Sequence, residues 1–169
     1  MKYMNERNRG DFLNCKHGNQ NHECLICKKV KEVLTASPTI SYKERSGYMI
    51  LYIKLPHGWW VAGANEKGSS TMSTINIEVS EDLRQNGIGE KLLRLLSDEA
   101  KQFGISTLTG TATNIPALKT RAKVFGESLI VIAPDPTTGR MAEVTVDEAM
   151  TEADEKTGDL FNVTVSVEL

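Results

Sequence analysis

The sequence predicts an α/β fold of the α+β type, in which a mixed, mostly antiparallel sheet is flanked by helices. Strand-like segments separated by short turns fill residues 48–79, and such short connections are typical of antiparallel neighbours. The chain then alternates strand, helix, strand and helix between residues 71 and 125. That order implies one parallel pair joined by a right-handed crossover, so we expect the sheet to be mixed.

The bulk composition predicts one compact domain with a small appendage. The chain has 169 residues, of which 40% are hydrophobic, and this is enough to build a core. A net charge of -2 at pH 7 gives no reason to expect binding to nucleic acid or to a membrane through bulk electrostatics. The N-terminus has no apolar central region, and no apolar run is long enough to span a bilayer. We therefore expect a cytoplasmic protein with no membrane partner.

An N-terminal cluster of cysteine and histidine predicts a zinc site. All three cysteines lie within Cys15-Lys-His17-Gly-Asn-Gln-Asn-His22-Glu-Cys24-Leu-Ile-Cys27. Zinc prefers four ligands in a tetrahedron of thiolate sulfur and imidazole nitrogen, and a short-spaced pair can supply two of them. Cys15 with His17 and Cys24 with Cys27 form two such pairs, although His22 in place of His17 stays open. Because four protein ligands leave no position for a substrate, we expect a structural zinc.

The next segments predict a helix and three strands. The helix begins at Leu25 and ends before Ser37 and Pro38, and we interpret its lysines as a solvated face. We place a boundary there, between a zinc knuckle with its helix at residues 1–37 and a main domain at residues 38–169. Strand-like runs follow at residues 48–55, 59–64 and 71–79.

The stretch from Val79 to Gly89, with the sequence Val-Ser-Glu-Asp-Leu-Arg-Gln-Asn-Gly-Ile-Gly, joins the third of these strands to a helix. Apolar residues alternate before it and recur at helical spacing after it. Gly87 and Gly89 let backbone N–H groups approach an anion, and the helix N-terminus adds its positive end. The stretch is therefore a candidate anion-binding loop.

The rest of the chain predicts two helices, further strands and one acidic segment. A helix near residues 90–103 ends at Gly104, and a second helix is expected at residues 115–125. Residues 147–159 are acidic but lack the spacing and central glycine of a calcium loop, so we interpret them as a solvated helix or excursion. The remaining strand-like runs are residues 106–112, 128–133, 141–146 and 161–167.

Two short motifs resemble those of a known enzyme family. Arg84, Gly87 and Gly89 form an Arg-x-x-Gly-x-Gly arrangement directly before a helix, and this is similar to the acyl-CoA-binding motif of the GNAT superfamily of N-acyltransferases. Asn114, at the next strand-to-helix joint, is similar to the asparagine that opens a later helix of these enzymes. The resemblance covers roughly residues 48–133 and implies a GNAT-like sheet flanked by helices.

The resemblance also implies where the cofactor binds. The backbone of residues 85–90 would hold the pyrophosphate of acyl-CoA, and the strand before the loop would offer hydrogen bonds to the pantetheine arm, with Asn114 near the same arm. A helix N-terminus with nearby glycines suits a diphosphate without any metal. The cofactor-binding residues implied in this way are Ile77, Val79, Arg84, Gln85, Asn86, Gly87, Ile88, Gly89, Glu90 and Asn114.

The sequence does not identify the residues that transfer protons during the reaction, so the catalytic residues stay unidentified. The resemblance implies a tyrosine about seven residues after Asn114 as proton donor to the leaving thiolate, but that position holds Arg121, whose side chain does not give up a proton near neutrality. The helix ends in Phe125-Gly126, the reverse of the family's usual order, which leaves the register open by one residue. Glu78 and Glu66 are the acidic candidates for a base. Three other tyrosines could supply the proton if the fold brings them close, but the sequence does not show where they lie: Tyr42, Tyr48 and Tyr52.

Taken together, the resemblance implies an N-acetyltransferase that moves an acetyl group from acetyl-CoA to an amine by direct attack. The acceptor, a small molecule or a protein, is not specified, and neither is the oligomeric state. The missing tyrosine leaves an alternative open. In that alternative the protein is an inactive, GNAT-fold binding or regulatory protein whose zinc segment contacts a macromolecular partner.

Overall fold

The computed structural model describes residues 25–58, 60–79, 83–151 and 153–169. In these ranges four helices and eight strands form one mixed sheet with helical cover. The helices are α1 (Leu25–Thr35), α2 (Ile88–Gln102), α3 (Ile115–Phe125) and α4 (Val146–Thr151). The strands are β1 (Thr39–Arg45), β2 (Tyr48–Lys54), β3 (Trp60–Glu66), β4 (Thr71–Glu78), β5 (Thr107–Thr111), β6 (Leu129–Pro134), β7 (Met141–Val144) and β8 (Thr164–Glu168).

The strand order is β1-β2-β3-β4-β5-β8-β6-β7. Strands β1 to β4 form an antiparallel meander, and β4 and β5 run parallel on either side of the crossover through α2. The remaining neighbours are antiparallel. The predicted mixed sheet with flanking helices is therefore confirmed.

The core lies between the sheet and its helices in two adjoining clusters. The larger cluster joins α1 and α2 to β2, β3 and β4 through fully buried side chains such as Val33, Leu51 and Leu96. The smaller cluster joins α3 and α4 to β6 and β8, for example through Leu118 and Val165. This burial fixes the two strand-to-helix joints, before α2 and before α3, against a common core.

Helix α1 is tied to the start of α2 by one lysine. The Lys91 ammonium donates to the carbonyl oxygens of Val33, Leu34 and Ala36 at 3.2, 2.8 and 2.7 Å. A cation at these carbonyls satisfies the end of α1 and opposes the negative end of its dipole. Helix α1 thus packs on the same core as the strands that follow it, whereas the boundary proposed between residues 37 and 38 stays a prediction.

Two elements differ from the sequence predictions. Strand β1 was not expected, because its sequence Thr-Ile-Ser-Tyr-Lys-Glu-Arg is mostly polar and it pairs only with β2 at the sheet edge. Val146 was expected in a strand but begins α4. The Thr145 and Glu148 side chains hydrogen-bond each other's backbone N–H across the first turn, a capping box that starts a helix there.

No helix in the described part of the chain has both the length and the apolar character that a bilayer-crossing segment requires.

Candidate functional site

Strands β4 and β5 separate soon after they pair. Their parallel ladder covers three residue pairs and ends at Ser73 opposite Thr109, although β4 continues to Glu78 and β5 to Thr111. Beyond that pair, β4 keeps its antiparallel partner β3 on its other edge. One edge of β4 therefore faces an opening between the two central strands, which we call the splay.

A bulge accompanies the splay. The register between β3 and β4 shifts where Ala62 faces Asn76 and Gly63 faces Thr74, which leaves Ile75 as the extra residue. A bulge bends its strand and increases the local twist. The bulge closely follows the last β4–β5 pair, so β4 bends where the splay opens, and Ile75 is 56% exposed there.

The predicted anion-binding loop lies at the end of the splay, where β4 leads into α2. The Arg84 Nε donates to the Val79 carbonyl at 3.1 Å, and the Asn86 amide donates to the Leu83 and Arg84 carbonyls at 3.1 and 3.0 Å. Gln85 adopts a left-handed φ of 62°. The Arg84 and Asn86 side chains thus hold the loop through hydrogen bonds to its own backbone. Residues 80–82 lie outside the described ranges.

Among the described residues, no side chain caps the backbone donors at the N-terminus of α2. Gly87 is the N-cap residue with φ of 82°, and it provides no side-chain cap to the first turn. The first intrahelical bond runs from the Lys91 N–H to the Gly87 carbonyl at 3.0 Å, so the N–H groups before Lys91 have no intrahelical acceptor. No atom of the described residues lies within 4 Å of the point where a Gly87 Cβ would stand. The described residues therefore leave the Cβ side of Gly87 open at the start of the helix.

Helix α3 closes one side of this first turn. A Cβ on Gly89 would lie 3.6 Å from the Thr120 Cγ2, so Gly89 faces α3 across a short gap. The Glu90 carboxylate accepts from the Lys123 ammonium at 2.7 Å. This ion pair turns the Glu90 carboxylate towards α3 and neutralises it, which keeps the first turn of α2 favourable for an anion.

The strand residues predicted for the pantetheine arm lie along the splay. Ile77 and Val79 are half-buried and pack against the larger core cluster. Their side chains therefore point to the core, and the backbone edge of β4 opposite β3 faces the splay. That edge carries the groups that a strand-like ligand uses.

Asn114 is the N-cap of α3. Its Oδ1 accepts from the Ala117 N–H at 2.8 Å, and its backbone forms an isolated bridge with Asp159. Asparagine is among the preferred N-cap residues for this reason. The residue thus stands at the predicted strand-to-helix joint, with its side-chain oxygen engaged in starting the helix.

Arg121 lies buried at the closed end of the splay. Its side chain is 7% exposed, and the position of a Gly110 Cβ would be 3.7 Å from its Nη2 and 3.4 Å from the Thr74 Cβ. Its Nη1 donates to the Ala117 carbonyl at 3.2 Å. Burial lowers the pKa of the Arg121 guanidinium, but an arginine still carries its charge at neutral pH.

The sequence singles out Arg121 but not the residues that make room for it. Gly110 lies inside β5 and Thr74 lies beside the bulge of β4. A glycine inside a strand often marks a close approach of another group. Gly110 is therefore the one signal in the sequence that points to this arrangement.

The other residues considered for proton transfer are spread over the sheet. The Tyr42 hydroxyl lies on edge strand β1 and donates to the Glu99 carboxylate at 3.3 Å. The Tyr52 ring lies on β2, 6.3 Å from the Trp60 ring.

The two acidic candidates lie at opposite ends of the sheet. Exposed Glu78 is in register with Trp60 at the splay end of β4, whereas Glu66 is in register with Tyr48 at the opposite end of β3. Of the two acidic candidates, only Glu78 borders the splay.

Most of the predicted zinc ligands lie outside the described residues. Cys15, His17 and Cys24, together with the alternative ligand His22, precede residue 25. Cys27 is exposed on α1. Among the residues that the structure describes, no group of three or more histidine, cysteine or acidic side chains is arranged to hold a metal ion.

An open cavity of about 270 Å³ lies elsewhere, between α2, α3 and the C-terminal strand. Arg94, Asp98 and Lys101 line it together with Glu168. The first three belong to the middle and end of α2, away from the loop at its N-terminus, and Glu168 lies on β8. The cavity therefore contains none of the predicted cofactor-binding residues.

Solved structures with a similar fold were found. An IAA acetyltransferase from Bacillus cereus is 21% identical, covers 79% of this chain and 100% of its own, and aligns with a TM-score of 0.50. An acetyltransferase from Bacillus subtilis in complex with CoA is 14% identical over 79% of this chain and 99% of its own, with a TM-score of 0.49. The ribosomal-protein-S18-alanine N-acetyltransferase from Escherichia coli is 14% identical over 74% of this chain and 71% of its own, with a TM-score of 0.48.

Comparison of the sequence with family models identifies the family more specifically than these structural similarities do. No curated protein matched the chain. The family model described as the acetyltransferase (GNAT) family matches residues 24–126, which begins just before α1 and includes the splay, the loop and α3. Because this match spans more than half of the chain, the protein belongs to the acetyltransferase (GNAT) family and is an acetyl-CoA-dependent enzyme of that family.

Proposed function

We propose that this protein transfers an acetyl group from acetyl-CoA to an amine acceptor by direct attack of the amine on the thioester. The observation that carries the proposal is the continuity of the splay with the uncapped N-terminus of α2. The first offers a strand edge to an extended arm, and the second offers N–H donors to a diphosphate. A molecule that ends in a diphosphate and carries a long amide-containing arm fits both features at once.

In this proposal the pyrophosphate is held by the backbone of residues 85–90. The left-handed φ of Gly87 and the open space at its Cβ position support a close approach of the phosphate oxygens to the first turn. Arg84 is exposed beside the loop, and within the described part of the chain only its Nε is engaged, by the Val79 carbonyl. Its remaining guanidinium donors are therefore available for a phosphate oxygen.

The pantetheine arm is proposed to run along the splay edge of β4. Ile77 and Val79 would supply backbone hydrogen bonds to its amide groups, and Asn114 would lie across the splay at the start of α3. Because β4 is paired on one edge by β3, an arm on the other edge would complete its backbone hydrogen bonding in the manner of an added strand.

Reaction then follows from holding the amine and the thioester together. The neutral amine attacks the carbonyl carbon, the C–S bond breaks, and the proton of the attacking nitrogen passes to water. Positioning of two reactants in one site supplies a large part of such an acceleration.

Calorimetric titration with acetyl-CoA, followed by a thiol-release assay over small amines, peptides and protein lysines, tests the proposal. We expect saturable binding of one acetyl-CoA per chain and thiol release with at least one acceptor class. Absence of acetyl-CoA binding by the folded protein would refute the site. Binding without release for any acceptor class would instead favour the inactive binding protein considered above.

We also propose that Cys15, His17, Cys24 and Cys27 bind a structural zinc, with His22 as the alternative to His17. The support is the spacing of the two pairs. The N-terminal unit at residues 1–37 and a cytoplasmic location remain parts of the same proposal. We expect about one zinc per chain in protein purified without chelator, lost on chelation with release of three titratable thiols. Metal-free protein with three thiols titratable from the start would contradict it.

A further inference from the structure

Arg121 is a buried cation without an anionic partner in the described part of the chain. Its side chain is only 7% exposed. Its single hydrogen bond runs from Nη1 to the Ala117 carbonyl of its own helix. The salt bridges of the described residues join other groups, His57 with Glu32 and Lys123 with Glu90. The Nε and Nη2 groups of Arg121 are therefore left without a protein acceptor there.

Such a group is expensive to keep. Burial of a charge without a partner opposes folding, and most ionisable groups respond by becoming neutral. An arginine cannot become neutral in this way, because its guanidinium stays protonated at neutral pH. A cation retained under these conditions is ready to receive an anion that the free protein does not supply.

The position of Arg121 says where that anion would form. The guanidinium lies beside Gly110 and Thr74, one residue beyond the last paired residues of β4 and β5. From Val79 back to Thr74 the strand spans five residues, about 17 Å at roughly 3.3 Å per residue. This is comparable to the length of an extended pantetheine arm. If the diphosphate occupies the α2 N-terminus, the sulfur end of the arm therefore arrives at the guanidinium.

We propose that Arg121 is a catalytic residue that stabilises the thiolate of the leaving CoA by charge and hydrogen bonding, without giving it a proton. The inference rests on the proposed acetyl transfer. When the amine nitrogen bonds to the acyl carbon, the C–S electron pair returns to sulfur, and the negative charge develops against the guanidinium. The proton of the nitrogen goes to water, and the CoA thiolate takes up a proton from water after it leaves.

Two features of the surroundings make this charge effective. Apolar side chains such as Leu93, Leu108 and Phe125 line the space beside Arg121 together with Thr74 and Ser166. Because Arg121 is only 7% exposed, solvent screens its guanidinium weakly. A preorganised donor in such a place stabilises a developing negative charge more than one in bulk water does.

The test is the pKa of the CoA thiol when CoA is bound to the protein. Ultraviolet absorbance of the thiolate is titrated against pH for the saturated complex. The same titration with desulfo-CoA is subtracted, because the protein's own cysteines and tyrosines contribute equally to both. An opposite charge within about 4–6 Å lowers an acid's pKa by about 1–3 units. We expect the bound thiol to titrate that far below the thiol of free CoA.

Two variants assign the shift to the residue. Arg121→Lys keeps a positive charge and should retain part of the lowering, whereas Arg121→Gln should return the thiol pKa towards that of free CoA. Both should bind desulfo-CoA within about threefold of wild type, since that ligand has no thiolate to stabilise. Circular dichroism checks that each variant is folded, and the wild-type titration stands even if Arg121→Gln does not fold.

The outcomes separate this inference from the function on which it rests. If acetyl-CoA and desulfo-CoA both fail to bind, the proposed function fails. If they bind and the bound thiol titrates like free CoA in the wild type, the role of Arg121 is overturned while the binding site survives. A lowered pKa that Arg121→Gln leaves unchanged would equally overturn it.

Discussion

Replacing Gly87 with alanine tests the proposed pyrophosphate loop most directly. Gly87 joins the loop to α2 with a φ of 82° and a ψ of 0°, and an alanine in this left-handed region costs roughly 1–2 kcal/mol. No atom of the described residues lies within 4 Å of the new Cβ, so no steric clash with them adds to that cost. We expect the free energy of unfolding to fall by about 1–2 kcal/mol, which a domain of this size usually survives.

The effect on acetyl-CoA should be larger than this strain suggests. The Cβ introduced by the Gly87→Ala change would enter open space at the start of α2, beside the proposed diphosphate. Losing one hydrogen bond to a charged group costs about 1.5–3 kcal/mol, and a factor of ten in affinity corresponds to about 1.4 kcal/mol. We therefore expect this variant to bind acetyl-CoA roughly tenfold to a hundredfold more weakly.

Gly104→Ala is the matched control. Gly104 follows the other end of the same helix, has a φ of 74°, and also has no described atom within 4 Å of its Cβ position. Thermal unfolding should show similar losses of stability for the two variants, while calorimetric titration with acetyl-CoA should show weaker binding only for Gly87→Ala. If both variants bind acetyl-CoA with the same affinity, the loop does not hold the diphosphate.

Three further predictions concern stability. Lys91→Met removes the three hydrogen bonds from the ammonium to the end of α1; we expect a loss of about 2 kcal/mol in urea unfolding and faster amide hydrogen exchange in α1. Hydrogen bonding by the Thr145 N–H lowers the pKa of Glu148 below its ordinary value, so its stabilisation is present above the ordinary pKa and lost as pH falls through the lowered one. Glu148→Gln should therefore flatten the acid side of a plot of urea midpoint against pH. Gly63→Ala would place a Cβ 2.5 Å from the Met72 Sδ; we expect overpacking to cost about 1–3 kcal/mol, and a wild-type urea midpoint would contradict this.

The sequence predicted those parts of the fold that depend on local pattern. The helical spacing after Gly89 and the alternation before Val79 are confirmed by α2 and β4, because each element buries one face on the same core. Strand β1 left no such pattern, since an edge strand with exposed side chains needs no apolar face. The start of α4 was missed because the capping pair of Thr145 and Glu148 was interpreted as part of a strand and an acidic segment.

The candidate site likewise has one part that depends on local sequence and one part that depends on the fold. The loop could be recognised because its glycines and its flanking elements are contiguous in sequence. The burial of Arg121 could not, because it depends on α3 approaching β5 at Gly110 and on β4 turning away at its bulge, contacts that lie 11 and 47 residues from Arg121 along the chain. An arginine in an amphipathic helix ordinarily predicts a solvated position, and only the three-dimensional arrangement reverses that expectation.

The two halves of the proposed site therefore rest on different physical grounds. In our proposal the N-terminus of α2 holds the diphosphate whether or not any reaction follows, because its donors are fixed by the helix itself. The closed end of the splay differs, because a buried guanidinium without a partner destabilises the free protein. This cost in stability is offset only when a negative charge forms beside the guanidinium. If both proposals hold, binding energy gathered at the loop is used where charge develops, at the sulfur. A site arranged in this way stabilises the transition state more than the bound thioester, and that difference is what accelerates a reaction.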